Sequence, residues 1–247
     1  MKFYTKAVLL LAMCLTNSTV FAESLPDNWD AKAVEVLRQM DAYTDSMQKF
    51  IVKTDSYSDA SIGPGMVISN PFTARIAVER PGSLHAVTKS GELTSEIYLS
   101  EGKLTLYSSD KNVYAHQDVP EPLSDGLLYA LEEFDVETPL LDLLILKSLD
   151  RLLSGDELAV YVTGDSQIRG VDCHHILLSG PVVDLQVWIT KGDKPVPKRT
   201  VLRYKQGEGI PRHDVFIDWS ITDGFDKSEF KFVPPSGAHE IGFINTP

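Results

Sequence analysis

Three adjacent side chains, Cys173, His174 and His175, are of types that do chemistry. A thiolate and imidazoles are donors that transition metals favour. A thiol beside an imidazole is also the pairing of a nucleophile with its base. Spacing argues against both uses. On a strand, Cys173 and His175 share one face while His174 points to the other. A closed zinc site needs four ligands, and His85, His116, His213 and His239 show no metal-type spacing. Cys173 has no second cysteine to resolve an oxidised thiol once the segment carrying Cys14 is removed, so it reads as a small buried apolar residue. Glu132, Glu133, Asp135 and Glu137 crowd one connection. Paired carboxylates can do acid–base work, but a dense run beside an apolar helix reads as a solvated face, and negative charge ahead of a helix N-terminus is favourable. G-x-S-x-G, H-E-x-x-H, phosphate-loop and dinucleotide fingerprints are all missing. Gly63-Pro64-Gly65 reads as a loop. The sequence therefore names no catalytic residue, no metal ligand and no cofactor site.

The N-terminus reads as an export signal. Lys2 and Lys6 precede the uncharged apolar run Ala7 to Leu15, and Val20-Phe21-Ala22 supplies small residues before Glu23. That layout predicts cleavage after Ala22, a periplasmic location and a single domain over residues 23–247. The apolar run is too short to span a bilayer, and the most apolar later stretch, Leu140 to Leu146, contains Asp142 and is followed by Lys147. The chain is thus not expected to be an integral membrane protein. Across 247 residues it carries 23 basic and 35 acidic side chains, a net charge of −12. Such a surface repels phosphate backbones, which excludes nucleic acid as a partner, and disfavours direct adhesion to anionic lipid. At 43% hydrophobic the chain can build a sizeable core.

The elements follow from periodicity. Asp30 caps a helix in which Ala33, Val36, Leu37, Met40, Tyr43, Met47 and Phe50 recur at helical spacing. Period two then takes over: Phe72, Ala74, Ile76 and Val78 alternate with polar neighbours up to Arg80-Pro81-Gly82. Glu101-Gly102-Lys103 is a hairpin turn, and Ser108 to Asn112 a polar one. In the middle, Ser124 and Asp125 cap a helix carrying Leu127, Leu128, Leu131 and Phe134. Thr138-Pro139 opens a second, filled by leucines from Leu140 and Leu144 to Leu153. Strands resume at Leu158 to Thr163, Val171 to Leu178, Val183 to Thr190, Thr200 to Lys205 and Val215 to Ile221, with a turn at Gly164-Asp165-Ser166. Phe230 to Pro235, ending in two prolines, is an edge strand or an exit from the sheet. The fold class is α+β, mainly antiparallel β: an unclosed half-barrel with an N-terminal helix and two apolar helices on its concave side.

Several segments together resemble the predicted periplasmic family known as domain of unknown function 2092. They are Val78-Glu79-Arg80-Pro81, Leu104-Thr105-Leu106-Tyr107, Asn112-Val113-Tyr114-Ala115, Thr138 to Leu144, Gly170 to His175, Asp184 to Ile189, Pro195 to Arg199 and Phe230 to Pro235. The resemblance implies a fold similar to the lipoprotein-carrier superfamily of LolA, LolB and RseB, whose members wrap open barrels around helices and in several cases hold acyl chains. It carries over no catalytic residue and no acyl-binding motif.

These readings lead to a non-enzymatic binding or carrier protein for a lipid, lipoprotein or other hydrophobic ligand, with Leu127, Leu128, Leu131, Phe134, Leu140, Leu144, Trp188 and Trp219 as the lining. A second reading is an envelope interaction or sensor protein with a filled core and a protein partner. A third is an enzyme using Cys173 or the adjacent histidines.

Overall fold

The structure, a computed structural model, describes residues 25–134, 153, 157–205 and 212–243. The expected export segment lies outside these residues. So does the expected second apolar helix with Leu140 and Leu144, apart from Leu153.

Helix α1 (Ala31–Ser46) starts at the expected cap, where the Asp30 carboxylate accepts from the Lys32 N–H at 2.8 Å. It ends before Phe50, which belongs to β1 (Lys49–Gly63). The helical spacing of Phe50 is a coincidence of register. The following Ile51, Val52 and Thr54 are β-branched and suit a pleated surface better than a helix. β1 turns at Gly63-Pro64-Gly65 into β2 (Met66–Glu79), so the expected loop is the tip of a long hairpin, with Gly65 at φ +71°. Four strands continue the meander: β3 (Ser83–Ser90), β4 (Leu93–Ser100), β5 (Lys103–Ser108) and β6 (Val113–Asp118). The β4–β5 turn places Glu101 and Gly102 at φ 53° and 68°, the left-handed pair that a two-residue hairpin requires.

Helix α2 (Leu123–Phe134) begins earlier than its expected caps. Ser124 and Asp125 therefore sit in its first turn, where the Asp125 carboxylate meets the positive end of the helix. The second meander is β7 (Ala159–Ile168), β8 (Val171–Ser179), β9 (Val183–Thr190), β10 (Pro197–Tyr204) and β11 (Arg212–Ile221). The expected turn at Gly164 to Ser166 is instead inside β7. A register shift between Val162 and Gly164 leaves Thr163 as the extra residue of a bulge, and Gly164 pairs with His175. The chain reverses at Arg169 and Gly170, both at positive φ. Phe230 to Pro235 is an exit from the sheet rather than an edge strand, and the short β12 (His239–Glu240) then pairs parallel to β6.

All these strands lie in one twelve-stranded sheet of order β12-β6-β5-β4-β3-β2-β1-β11-β10-β9-β8-β7. The two meanders meet where β1 pairs with β11, and among the described residues β12 and β7 at the two ends do not pair with each other, so the barrel is unclosed; the segment before α1 bridges to β7 at Trp29–Val160. Register decides the faces. Ile176, Val187, Thr200, Val215 and Ser56 are successive cross-strand partners and share one face. That inner face receives both helices. α1 packs Ala33, Val34, Leu37 and Met40 against Val160, Ile176, Val187 and Ile189. α2 packs Leu123, Leu127 and Ala130 in one cluster with Phe50, Val52, Val78, Leu84, Leu99 and Leu104. Met47, just past the end of α1, reaches this second cluster.

Gly126 sets how closely α2 approaches the sheet. A Cβ there would stand 2.8 Å from the Pro120 carbonyl oxygen and 3.1 Å from side-chain atoms of Leu99 and Val119. Gly126→Ala is expected to lower stability by about 1–2 kcal/mol, because overpacking outweighs the gain in helix propensity. Urea unfolding of the two proteins checks this, and a variant at least as stable as the parent would show that α2 is free to shift.

Candidate functional site

The inner face between the two helices is built from short hydroxyl side chains bordered by apolar ones. Thr54, Ser56 and Thr200 are 4%, 1% and 7% exposed, and the Ser56 hydroxyl donates to Thr54 Oγ1 at 3.3 Å. His213, two residues along β11 from Val215, belongs to the same face, opposite Leu202 and Ser58. Its Nδ1 is buried and has no hydrogen-bond partner among the described residues. Buried polar atoms are nearly always paired, and this nitrogen, unpaired among the described residues, lies on the face that carries the buried hydroxyls.

Of the expected lining, the structure brings Leu127 and Trp219 into one cluster. Leu127 is buried, and Leu128 and Leu131 on the same helix are half-buried. The Trp219 ring lies 5.6 Å from that of Phe50, and its Nε1 donates to the Pro197 carbonyl at 2.9 Å. The polar end of the indole is thereby satisfied, and the ring is left as an apolar wall. Phe134 ends α2. Its side chain, like Leu140 and Leu144, lies outside the described residues.

Trp188 does not join this set. Its neighbours Val187 and Ile189 pack under α1, so strand alternation turns Trp188 to the outer face. There it belongs to a stack that follows the register. The His175 ring lies 4.0 Å from Trp188, the Arg199 guanidinium covers Trp188 at 4.8 Å and Phe216 at 4.9 Å, and Arg169 covers Phe216 at 4.5 Å. Asp214 holds Arg199 through two hydrogen bonds of 2.8 and 2.6 Å.

The Cys173-His174-His175 run is divided between the faces, as alternation required. The Cys173 thiol is fully buried and donates to the Val171 carbonyl at 3.4 Å, and burial pushes its pKa up. Such a thiol is a poor nucleophile. His174 Nδ1 pairs with Asp165 at 2.8 Å. His175 Nε2 meets Gln186 Oε1 at 3.0 Å, and burial lowers its pKa despite that contact. Glu132 and Glu133 are exposed on α2. Among the described residues no cluster of histidine, cysteine and carboxylate side chains could hold a metal ion, and no helix is long and apolar enough to cross a membrane.

A second outer-face feature escaped sequence reasoning. The segment after β11 runs back over β2 to β6 as a strap. Phe232 inserts among Tyr98, Tyr107 and Tyr114, with ring centroids 5.5, 5.7 and 5.2 Å away. Glu229 takes Arg75 at 2.5 Å and His85 Nδ1 at 3.2 Å, while His85 Nε2 faces Glu96 at 3.4 Å. Strap and sheet enclose a groove of about 760 Å³ lined by Tyr98, Lys103, Tyr114, Phe230 and Lys231 among others. The alternate tyrosines were the available signal, but nothing local says that a distant phenylalanine fills the space between them. Burial raises the Glu229 pKa, but the hydrogen bonds from Arg75 and His85 prevail and hold it below its ordinary 4.5. A depressed carboxylate contributes stability that is complete above 4.5 and is lost as pH falls through the lower, folded-state value. Amide exchange in residues 226–243 is therefore expected to accelerate relative to the sheet as pH falls below 4.5. Unchanged relative protection would show that the aromatic contacts alone hold the strap.

No curated protein matches the chain. Solved structures share its general course at low identity. LprF from Mycobacterium bovis is 13% identical, with 85% of this chain and 98% of that one covered and a TM-score of 0.46. A LolA superfamily protein from Nitrosomonas europaea is 10% identical over 81% and 97%, with a TM-score of 0.40. The MucA/MucB complex from Pseudomonas aeruginosa matches at 11%, covering 82% of this chain and 62% of that one, with a TM-score of 0.46. Superpositions this loose say nothing about what the chain does. The sequence-level match is of another kind: residues 33–244 fit a family model described as predicted periplasmic protein, and the chain belongs to that family, domain of unknown function 2092.

Proposed function

We propose that the protein is a passive periplasmic carrier, exported by cleavage after Ala22, that holds a lipid, lipoprotein acyl chain or other hydrophobic ligand on the inner face of its sheet. The observation that supports this most is the inner face itself. Apolar clusters under α1 and α2 flank a hydroxyl row, and a buried His213 nitrogen there lacks a partner among the described residues. Leu127, Leu128, Leu131 and Trp219 form the wall, with Phe134, Leu140 and Leu144 proposed to complete it. An acyl chain sliding along them exchanges water for hydrocarbon, at roughly 0.8 kcal/mol per buried methylene. The hydroxyls and His213 Nδ1 suit the polar end of such a ligand. Binding of this kind needs no reacting group, cofactor or metal.

Native mass spectrometry of the signal-cleaved protein, purified gently from its own periplasm, tests the reading. An added mass that extracts into solvent as lipid is the expected result. A bare mass that persists after incubation with lipids would refute the carrier reading. It would favour the reading in which the core is filled and the partner is an envelope protein.

A further inference from the structure

The β1–β2 hairpin outruns its sheet. Pairing with β11 ends at Ser58–His213, and pairing with β3 at Thr73–Lys89. Beyond those points, among the described residues, β1 and β2 pair only with each other, from Asp59–Ser69 to Gly63–Met66. At about 3.3 Å per residue this arm projects roughly 20 Å.

Its composition is anomalous for a projection into water. Ile62, Met66, Val67 and Ile68 are 59%, 53%, 45% and 42% exposed. No charged residue occurs between Asp59 and Arg75, in a chain whose net charge is −12. The apolar groups lie on both sides of the arm. Val67 pairs with Ser61 and Ile68 with Ala60, and successive pairs face opposite ways. Met66 and Ile68 share one side and Val67 takes the other, with Ile62 in the register shift between Ser61 and Gly63, so a protein laid on either side would leave part of the set in water. An apolar medium that surrounds the tip covers all of them.

We infer that the β1–β2 tip is a membrane-docking element that inserts into the headgroup–acyl boundary of a lipid bilayer. The depth is shallow. Among the described residues both edges of the arm carry backbone groups outside any ladder, which hydrocarbon would leave unsatisfied and which headgroups and interfacial water can satisfy. The attraction is apolar, and the net negative charge opposes approach to an anionic leaflet. Docking therefore favours a zwitterionic surface and does not weaken with salt. The inference stands apart from the inner face: a protein that takes up no lipid can still dock by this tip.

Flotation of the mature protein with phosphatidylcholine vesicles tests it, compared with the double variant Met66→Ser, Ile68→Ser. Both positions are exposed, so the variant is expected to melt with the parent. The parent should float with the vesicles in low and in molar salt. The variant should partition at least roughly tenfold less, and mixed phosphatidylglycerol vesicles should bind the parent more weakly at low salt. A Val67→Trp probe should blue-shift on binding and be quenched by brominated lipid. The inference is overturned by a parent that does not float, by a variant that floats equally well, or by binding that salt abolishes. It is also overturned by a protein dimer lost in the variant without lipid binding, which would assign the tip to a second copy.

Discussion

Replacing Phe50 with alanine is expected to remove about 4 kcal/mol of stability, the largest loss at any single position considered. Phe50 is 1% exposed, and its ring contacts Trp219 from within the cluster that also holds Val52, Val78 and Leu84. It joins the β1–β11 seam to the floor beneath α2, so truncation opens a void between two meanders instead of at an edge. The walls are strands fixed by ladder hydrogen bonds on both sides, and they cannot collapse to fill it. For a chain of this size, that loss lowers the melting temperature by on the order of 10 °C. Ile221, the cross-strand partner of Phe50, is 62% exposed. Ile221→Ala should stay within about 0.5 kcal/mol of the parent. Thermal and urea unfolding of both variants supply the comparison. Equal effects would mean that the seam is held by backbone pairing and not by the Phe50 ring.

Asp214→Ala should cost about 3 kcal/mol. The Asp214 side chain is 6% exposed and receives Arg199 through two hydrogen bonds and Arg212 through a third at 3.2 Å. Removing the carboxylate leaves the Arg199 guanidinium between the rings of Trp188 and Phe216 without a counter-charge. The cost arises from the abandoned cation more than from the lost bond. Asp214→Asn, which keeps an acceptor, should therefore lose less. The double variant Arg199→Met, Asp214→Leu should recover most of the stability, since apolar groups of similar volume replace a buried pair at little cost. A double variant no better than Asp214→Ala would show that the loss is one of packing and not of stranded charge.

Several features were legible in local sequence because the signals that fix them are local. Asp30 lies next to the backbone N–H it caps. Glu101-Gly102 lies at the turn it forms. Strand β9 occupies Val183 to Thr190 because alternation and flanking turn residues suffice to bound it. The division of Cys173, His174 and His175 between two faces also follows from the period of a strand. The errors share a different cause. Phe50 fits the helical period of α1 and Gly164 looks like a turn. Each was reassigned by a neighbouring strand whose hydrogen bonds a single segment cannot foresee.

The candidate site was only partly readable. Apolar Leu127, Leu128 and Leu131 mark a helix face, and Trp219 a strand face, but which face of β9 turns inward depends on where α1 lies. Trp188 went to the outside because Val187 and Ile189 claim the helix. The strap of Phe232 over three tyrosines and the orphan nitrogen of His213 depend on contacts between distant elements. By itself the sequence determined the class of fold, the strand and helix inventory of its clearest segments, and family membership, all of which rest on periodicity, capping and ordered motifs along the chain. The tertiary structure decided which residues share a face, which buried groups go unpaired and how far the β1–β2 arm projects, because those outcomes depend on register between strands far apart in the chain.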